Sequence, residues 1–76
     1  MHKAQAIEVL KDCTPLYQHL RYIPRYKPKA EELVTLRKFK QIFEAGLIQD
    51  RELLEAAGLR TDQVGLLVGY MIKLTP

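Results

Sequence analysis

Residues 29–47 read KAEELVTLRKFKQIFEAGL, and this stretch decides the fold class. Its apolar residues recur at spacings of three and four, which places them on one face of an α-helix. They are Leu33, Leu36, Phe39, Ile42, Phe43 and Leu47. Glu31 and Glu32 fall in the first turn, where the helix dipole favours acids, and Gly46 suits a left-handed helix end. The stretch therefore predicts a helix from position 28 or 29 to position 45, at the centre of the domain.

The sequence before this helix predicts two shorter helices and a linker. Between residues 3 and 13 the apolar side chains share one helical face: Ala6, Ile7, Leu10 and Cys13. Thr14-Pro15 predicts a break, because a residue before proline is pushed out of the α region and proline is preferred at the start of a helix. A second helix is then expected over 15–22. The Pro-rich, basic segment at 23–28 has prolines four residues apart, which predicts an extended linker.

The sequence after position 47 predicts two more helices. Asp50 is a good N-cap for a helix over 51–57, and Gly58 ends it. Thr61 or Asp62 is expected to cap a last helix that runs to about Lys73. No strand pattern accompanies these helices. We therefore predict an all-α fold, a compact bundle of four to five short helices that forms a single domain over 1–76.

The last helix is apolar on every side from Val64 to Ile72. A helix of this kind has to be covered on most sides, either by the core or by another chain. Gly65 and Gly69 lie four apart on one face, which permits close approach of a second helix. With Leu66 and Tyr70 they form a candidate helix–helix interface, so a homodimer through this helix is one expectation.

The two C-terminal helices, within Asp50–Leu74, also have the pattern of a helix-turn-helix. Apolar residues fall at its internal contact positions: Leu53, Ala57, Leu59, Val64 and Leu67. Gly58 falls at the turn, so over about 22 residues the pair resembles helix-turn-helix repressors. The resemblance implies that the last helix reads DNA. Leu54 stands where such motifs usually have a small residue, and the outward positions offer few groups that read bases. An αα-corner with the same packing is the alternative.

Composition excludes several classes of protein. The chain has 76 residues, of which 47% are hydrophobic and 28% charged, as is ordinary for a globular domain. Its single cysteine, Cys13, excludes an internal disulfide and indicates a reducing compartment. Residues 4–10 lack the features of a signal peptide, and the longest apolar run is well under the roughly 20 residues that span a membrane. We expect a soluble, cytoplasmic protein that is not inserted in a membrane.

Few residues offer catalytic chemistry. His2, Cys13 and His19 do not form any pair with the spacing of metal ligands. A Cys13–His19 nucleophile pair is conceivable, but a buried structural cysteine and a surface histidine explain the two residues more simply. The glycines cap or interrupt helices and do not form a phosphate loop. We therefore predict a non-catalytic protein without a metal ion or cofactor.

Positive charge is concentrated in the first half of the chain. The net charge is +3, yet residues 1–40 carry nine Lys or Arg against four Asp or Glu. The densest part is the Tyr/Arg segment, residues 17–29, which contains no acidic residue. Its candidate binding residues are Tyr17, His19, Arg21, Tyr22, Arg25, Tyr26, Lys27 and Lys29. The basic residues of the central helix that could extend this surface are Arg37, Lys38 and Lys40.

Three interpretations fit the Tyr/Arg segment. Cations neutralise phosphates and aromatic rings stack on bases, which favours nucleic acid. Tyrosine and arginine are also enriched in the energetic centres of protein–protein interfaces. In the third interpretation the tyrosines pack the linker onto the core. The leading hypothesis is a small regulatory protein that binds nucleic acid, DNA in view of the helix pair. The alternative is an adaptor or inhibitor that docks on a partner protein through the Tyr/Arg segment or the apolar last helix.

Overall fold

The computed structural model describes residues 2–75, which form four α-helices joined by short connections. The helices are α1 (Lys3–Tyr22), α2 (Ala30–Glu44), α3 (Arg51–Ala57) and α4 (Thr61–Leu74), and a 3₁₀ turn covers Leu47–Gln49. The described part contains no strand, and the predicted all-α bundle is confirmed. At 20 residues, or about 30 Å, α1 is nearly as long as the longest extent of the molecule, which is 32 Å.

One continuous core joins all four helices. α1 packs against α2 and α3, and α4 packs mainly against α2. The most deeply buried side chains come from α1, α2 and α4: Leu10, Cys13, Leu36, Phe39, Ile42 and Leu67. The face predicted for the central helix is the one that points inward, although Phe43 at its end is more than one-third exposed.

The predicted break at Thr14-Pro15 is wrong, because α1 continues through Pro15. Proline cannot donate the backbone hydrogen bond that the carbonyl of Lys11 would otherwise accept. Both Lys11 and Pro15 lie on the exposed side of α1, where water can solvate that carbonyl. The buried face is uninterrupted across the proline, with Cys13 before it and Leu16 after it. Packing on both sides therefore keeps the helix whole.

The two prolines predicted an extended linker over residues 23–28. The connection between α1 and α2 is not extended throughout. Residues 24 and 25 form a turn, and Arg25 has a positive φ of 57°. A left-handed conformation costs a residue with a side chain about 1–2 kcal/mol. The turn sends the chain back toward α1, so that Tyr26 packs against the core instead of pointing away from it.

Local signals placed α3 correctly and misplaced the start of α4. The side chain of Asp50 accepts a hydrogen bond from the backbone N–H of Leu53 at 3.3 Å, and Gly58 ends α3 with a φ of 77°. At α4 the capping residue is Arg60, not Thr61 or Asp62. The side-chain oxygen of Gln63 accepts a hydrogen bond from the backbone N–H of Arg60 at 3.0 Å.

Candidate functional site

Glu32 in the first turn of α2 holds the Tyr/Arg segment against the bundle. Its carboxylate accepts a hydrogen bond from the hydroxyl of Tyr26 and another from the backbone N–H of Lys29 at 2.9 Å. His19 Nδ1 on α1 lies 3.1 Å from Glu32 Oε2. The rings of His19 and Tyr26 are in contact, with centroids 5.0 Å apart. One carboxylate thus connects α1, the linker and α2.

These contacts set the electrostatics of the cluster. Partial burial of Glu32 tends to raise the pKa of its carboxyl group. The hydrogen bonds from Lys29, Tyr26 and His19 outweigh that effect, and the pKa of Glu32 is lowered from its usual range. Conversely, donation to this carboxylate raises the pKa of the Tyr26 hydroxyl. The cluster is therefore stable with Glu32 ionised and Tyr26 protonated.

The structure divides the residues of the Tyr/Arg segment into two groups. Tyr17 is buried in the core, and Tyr26 and His19 are engaged with Glu32. The packing interpretation accounts for these three residues, and the face of the buried Tyr17 ring cannot reach a ligand. Glu32 was missed from the sequence because its contact with His19 spans 13 positions and depends on how α1 and α2 pack.

The second group forms an exposed surface that we call the basic end, consisting of Arg21, Tyr22, Arg25, Lys27 and Lys29. The ring of Tyr22 is 72% exposed, and the guanidinium carbon of Arg21 lies 5.8 Å from the centre of that ring. Within residues 2–75, none of the four cations of the basic end is paired with a carboxylate. The basic charge that the sequence indicated is thus available to a ligand.

A shallow groove borders the basic end where the linker meets the end of α4. Its volume is about 180 Å³, and Arg25, Tyr26, Tyr70 and Lys73 are among the residues that line it. The hydroxyl of Tyr70 donates to the backbone carbonyl of Leu20 at 3.4 Å, which ties α4 to α1 at this edge. Tyr70 was predicted at a helix–helix interface, and the structure places it partly inside the groove.

The basic residues of α2 do not extend the basic end as one continuous patch. Lys38 lines a different groove, between α1 and α2, together with Glu8 and Asp12. Arg37 is exposed on the outer side of α2, and Lys40 is half-buried. The surface around Lys38 is therefore of mixed charge, unlike the basic end.

The turn between α3 and α4 has the spacing of a helix-turn-helix, but the outer face of α4 is apolar. The positions predicted to make internal contacts are all buried: Leu53, Ala57, Leu59, Val64 and Leu67. Leu54 is buried as well, so the bulky residue is accommodated in the core. In the first turn of α4, Asp62 lies 3.4 Å from the Arg60 guanidinium. Gly65, Leu66, Gly69 and Ile72 then face outward.

The buried cysteine is chemically quiet. Burial, assisted by the charge of Asp12, raises the pKa of Cys13 to about 12. A thiol with that pKa is not the thiolate that nucleophilic chemistry or metal binding requires. No group of three His, Cys, Asp or Glu side chains within residues 2–75 is arranged to hold a metal ion. Over the same residues no helix is both long and apolar enough to cross a bilayer.

Comparison of the chain with protein-family models, curated proteins and solved structures finds no match.

Proposed function

We propose that this protein is a non-catalytic, regulatory nucleic-acid-binding protein that works in a reducing cytoplasm. The observation that carries the proposal is the basic end: four exposed cations without carboxylate partners and one exposed tyrosine lie within residues 21–29, and Arg21 lies beside the tyrosine ring. Elsewhere on the surface Lys3, Lys11 and Arg60 are paired with acidic residues, and the other exposed cations are spread over α2, α3 and α4: Arg37, Lys38, Arg51 and Lys73. Cations concentrated at one end and left unpaired are suited to a row of phosphates.

The arrangement favours single-stranded over double-stranded nucleic acid. A base can stack on Tyr22 only when it is free of its own stack, and Arg21 beside the ring can reach the neighbouring phosphate. Arg25, Lys27 and Lys29 continue along the linker and supply further phosphate contacts. By contrast, the outward face of α4 between Asp62 and Lys73 presents only Gly65, Leu66, Gly69 and Ile72, and none of these reads base edges in a major groove.

A titration with single-stranded DNA at several salt concentrations tests the proposal. With an oligonucleotide of roughly 20 nucleotides, and about four phosphates neutralised, the logarithm of affinity should fall with that of salt with a slope near −3. Arg21→Ala combined with Arg25→Ala should weaken binding at least tenfold and make the slope shallower by about 1.4. Single-stranded RNA and duplex DNA are run in parallel, and duplex is expected to bind more weakly.

The matched control removes two positive charges from elsewhere. Lys11→Ala combined with Arg51→Ala lowers the net charge equally and should change affinity less than threefold. Equal weakening by both pairs, or no binding at about 50 mM salt, would overturn the assignment to the basic end. Arg25→Gly adds a second check, because glycine adopts the positive φ at this position without strain. It should weaken binding and leave the melting temperature unchanged or higher.

A second candidate function, docking on a partner protein, is favoured by a different surface. Leu66 and Ile72 on α4 are 42% and 66% exposed, on a helix face that the core does not cover. Apolar side chains grouped on one exposed face are typical of protein interfaces. Binding at this face can coexist with binding at the basic end, since the two surfaces use different residues.

A further inference from the structure

The outward face of α4 is apolar in the middle and carries one charged residue at each end. Along the helix this face presents Asp62, Gly65, Leu66, Gly69, Ile72 and Lys73, all of them exposed. Its acidic residue is at one end and its basic residue at the other. Eleven positions separate them, or about 16 Å along the axis, so they are too far apart to pair with each other.

The exposed apolar residues of α4 are also grouped, unlike those of α2. Val34 on α2 is 45% exposed, but Glu31, Arg37 and Lys38 occupy the adjacent positions on the same side of that helix. Such single apolar residues are normal on a protein surface. On α4, Gly69 lies three positions from both Leu66 and Ile72 and is the outward residue between them, with Asp62 and Lys73 at the two ends. The face is therefore a shallow apolar furrow with one charge at each end.

We propose that the occupant of this face is α4 of a second copy of the chain, packed antiparallel about a twofold axis between residues 67 and 68. The inference rests on the second candidate function, that the face of α4 is a protein interface. In this arrangement position 62 lies opposite position 73, so Asp62 meets the partner's Lys73 at both ends. A parallel pair would instead place like charges together at each end, which is unfavourable.

The shape of the face fits the same register. Position 66 lies opposite position 69, so each Leu66 packs over the partner's Gly69 and next to the partner's Leu66. Ile72 lies opposite position 63 of the partner, two residues or about 3 Å along the axis from the open space at the partner's Gly65. Around a Cβ atom placed at Gly65 or Gly69 there is nothing within 4 Å, so both glycines leave open space at the surface. Small residues of this kind allow two helix backbones to approach closely.

The existing ion pair between Asp62 and Arg60 is compatible with this interface. Asp62 lies 3.4 Å from the guanidinium of Arg60, and both side chains are largely exposed. A carboxylate has room for two cationic donors, so Arg60 and the partner's Lys73 can share it. Lys73 lies at the junction between this face and the groove beside the basic end, with no carboxylate partner in residues 2–75.

Sedimentation equilibrium of the full chain without nucleic acid tests the pairing. A concentration-dependent dimer is expected, and Leu66→Glu should weaken association more than tenfold. Val34→Glu is the matched control, because it places the same charge at an equally exposed apolar position on α2 and should leave association unchanged. Gly69→Ala should raise the melting temperature, since alanine is the better helix former, and yet weaken association because the methyl group fills the space under Leu66.

Charge reversal tests the antiparallel register. Asp62→Lys and Lys73→Asp should each weaken association several-fold by opposing like charges, and the double variant should restore it. A monomer at every concentration overturns the inference and leaves the face to a different partner protein. A dimer that Leu66→Glu does not weaken places the interface elsewhere, and overturns both the pairing and the second candidate function. Oligonucleotide binding is measured separately with the Leu66→Glu variant. It should be retained, because the basic end does not include Leu66.

Discussion

The carboxylate of Glu32 accepts hydrogen bonds from His19 on α1 and from Tyr26 and Lys29 in the connection before α2, which local sequence patterns cannot join. Its position in the first turn of α2 could be predicted from the sequence, because acids are favoured at helix starts. Its contacts with His19 and Tyr26 could not be predicted from the sequence, because they depend on the turn at Arg25 and on the packing of α1 against α2. Residue type thus predicted where Glu32 lies in its helix but not that it fixes the linker.

Glu32→Gln should reduce stability and also change its dependence on pH. A lowered pKa in the folded state means that ionisation stabilises the fold above the unfolded-state pKa, near 4.3, and that this contribution is lost as pH falls through the folded-state value. In urea titrations the variant should lose about 1 kcal/mol at neutral pH. Its stability should also fall less steeply than that of the parent below about pH 5.

Glu31→Gln is the control for this experiment. Glu31 is the exposed neighbour in the same helical turn, and its side chain lacks the partners that Glu32 has. It should leave the acid limb of the stability profile unchanged. If Glu31→Gln and Glu32→Gln flatten that limb equally, the charge of the helix terminus is responsible and not the Glu32 cluster.

Among the helices, α1 departs most from its sequence pattern. Proline and the residue before it predict a break by local sterics, but Leu10, Cys13, Leu16 and Tyr17 are buried on one face across that position. Tertiary packing overrides the local preference for a break, and rules based on the sequence of one helix do not include that packing. By comparison α2, α3 and the turns at Gly46 and Gly58 were predictable, because their periodicity, cap and glycines all indicate the same structure.

Pro15→Ala should stabilise the protein. Alanine restores the missing backbone donor in α1 and removes the clash of the proline ring, which together are worth up to about 3 kcal/mol in a helix interior. Because the unfolded chain also gains freedom when proline is removed, a net increase of about 1–2 kcal/mol is expected in urea unfolding, with an unchanged m-value.

The control for Pro15→Ala is Gln18→Ala, at another exposed position of α1. It should change stability by less than about 0.5 kcal/mol. A loss of stability in Pro15→Ala would mean that the proline sets a bend that the packing of α1 requires.

For the whole molecule, the single core makes Cys13 a reporter of global opening. The thiol is fully buried and has its pKa raised to about 12 by burial and by Asp12, so reagents should reach it only when the bundle opens. At neutral pH the labelling rate should therefore be slow. It should rise with urea in proportion to the unfolded fraction, as measured by mass spectrometry.

Two adjacent leucines of α4 separate core from surface in this experiment. Leu67→Ala creates a cavity in the core, which costs about 2–4 kcal/mol and should accelerate labelling by more than tenfold. Leu66→Ala, changed on the outward face, should have a much smaller effect in dilute protein. Equal acceleration by both variants would show that Cys13 is exposed by a local movement and not by global opening.

The surroundings of the tyrosines give the protein its own optical probe. The chain has no tryptophan and four tyrosines. Tyr17 is buried, Tyr26 donates its hydroxyl to a carboxylate, which quenches phenol emission, and Tyr70 donates to a backbone carbonyl. Tyr22 is the tyrosine most open to water. A base that stacks on Tyr22 should therefore quench part of the intrinsic tyrosine fluorescence, so that binding can be followed without any attached dye.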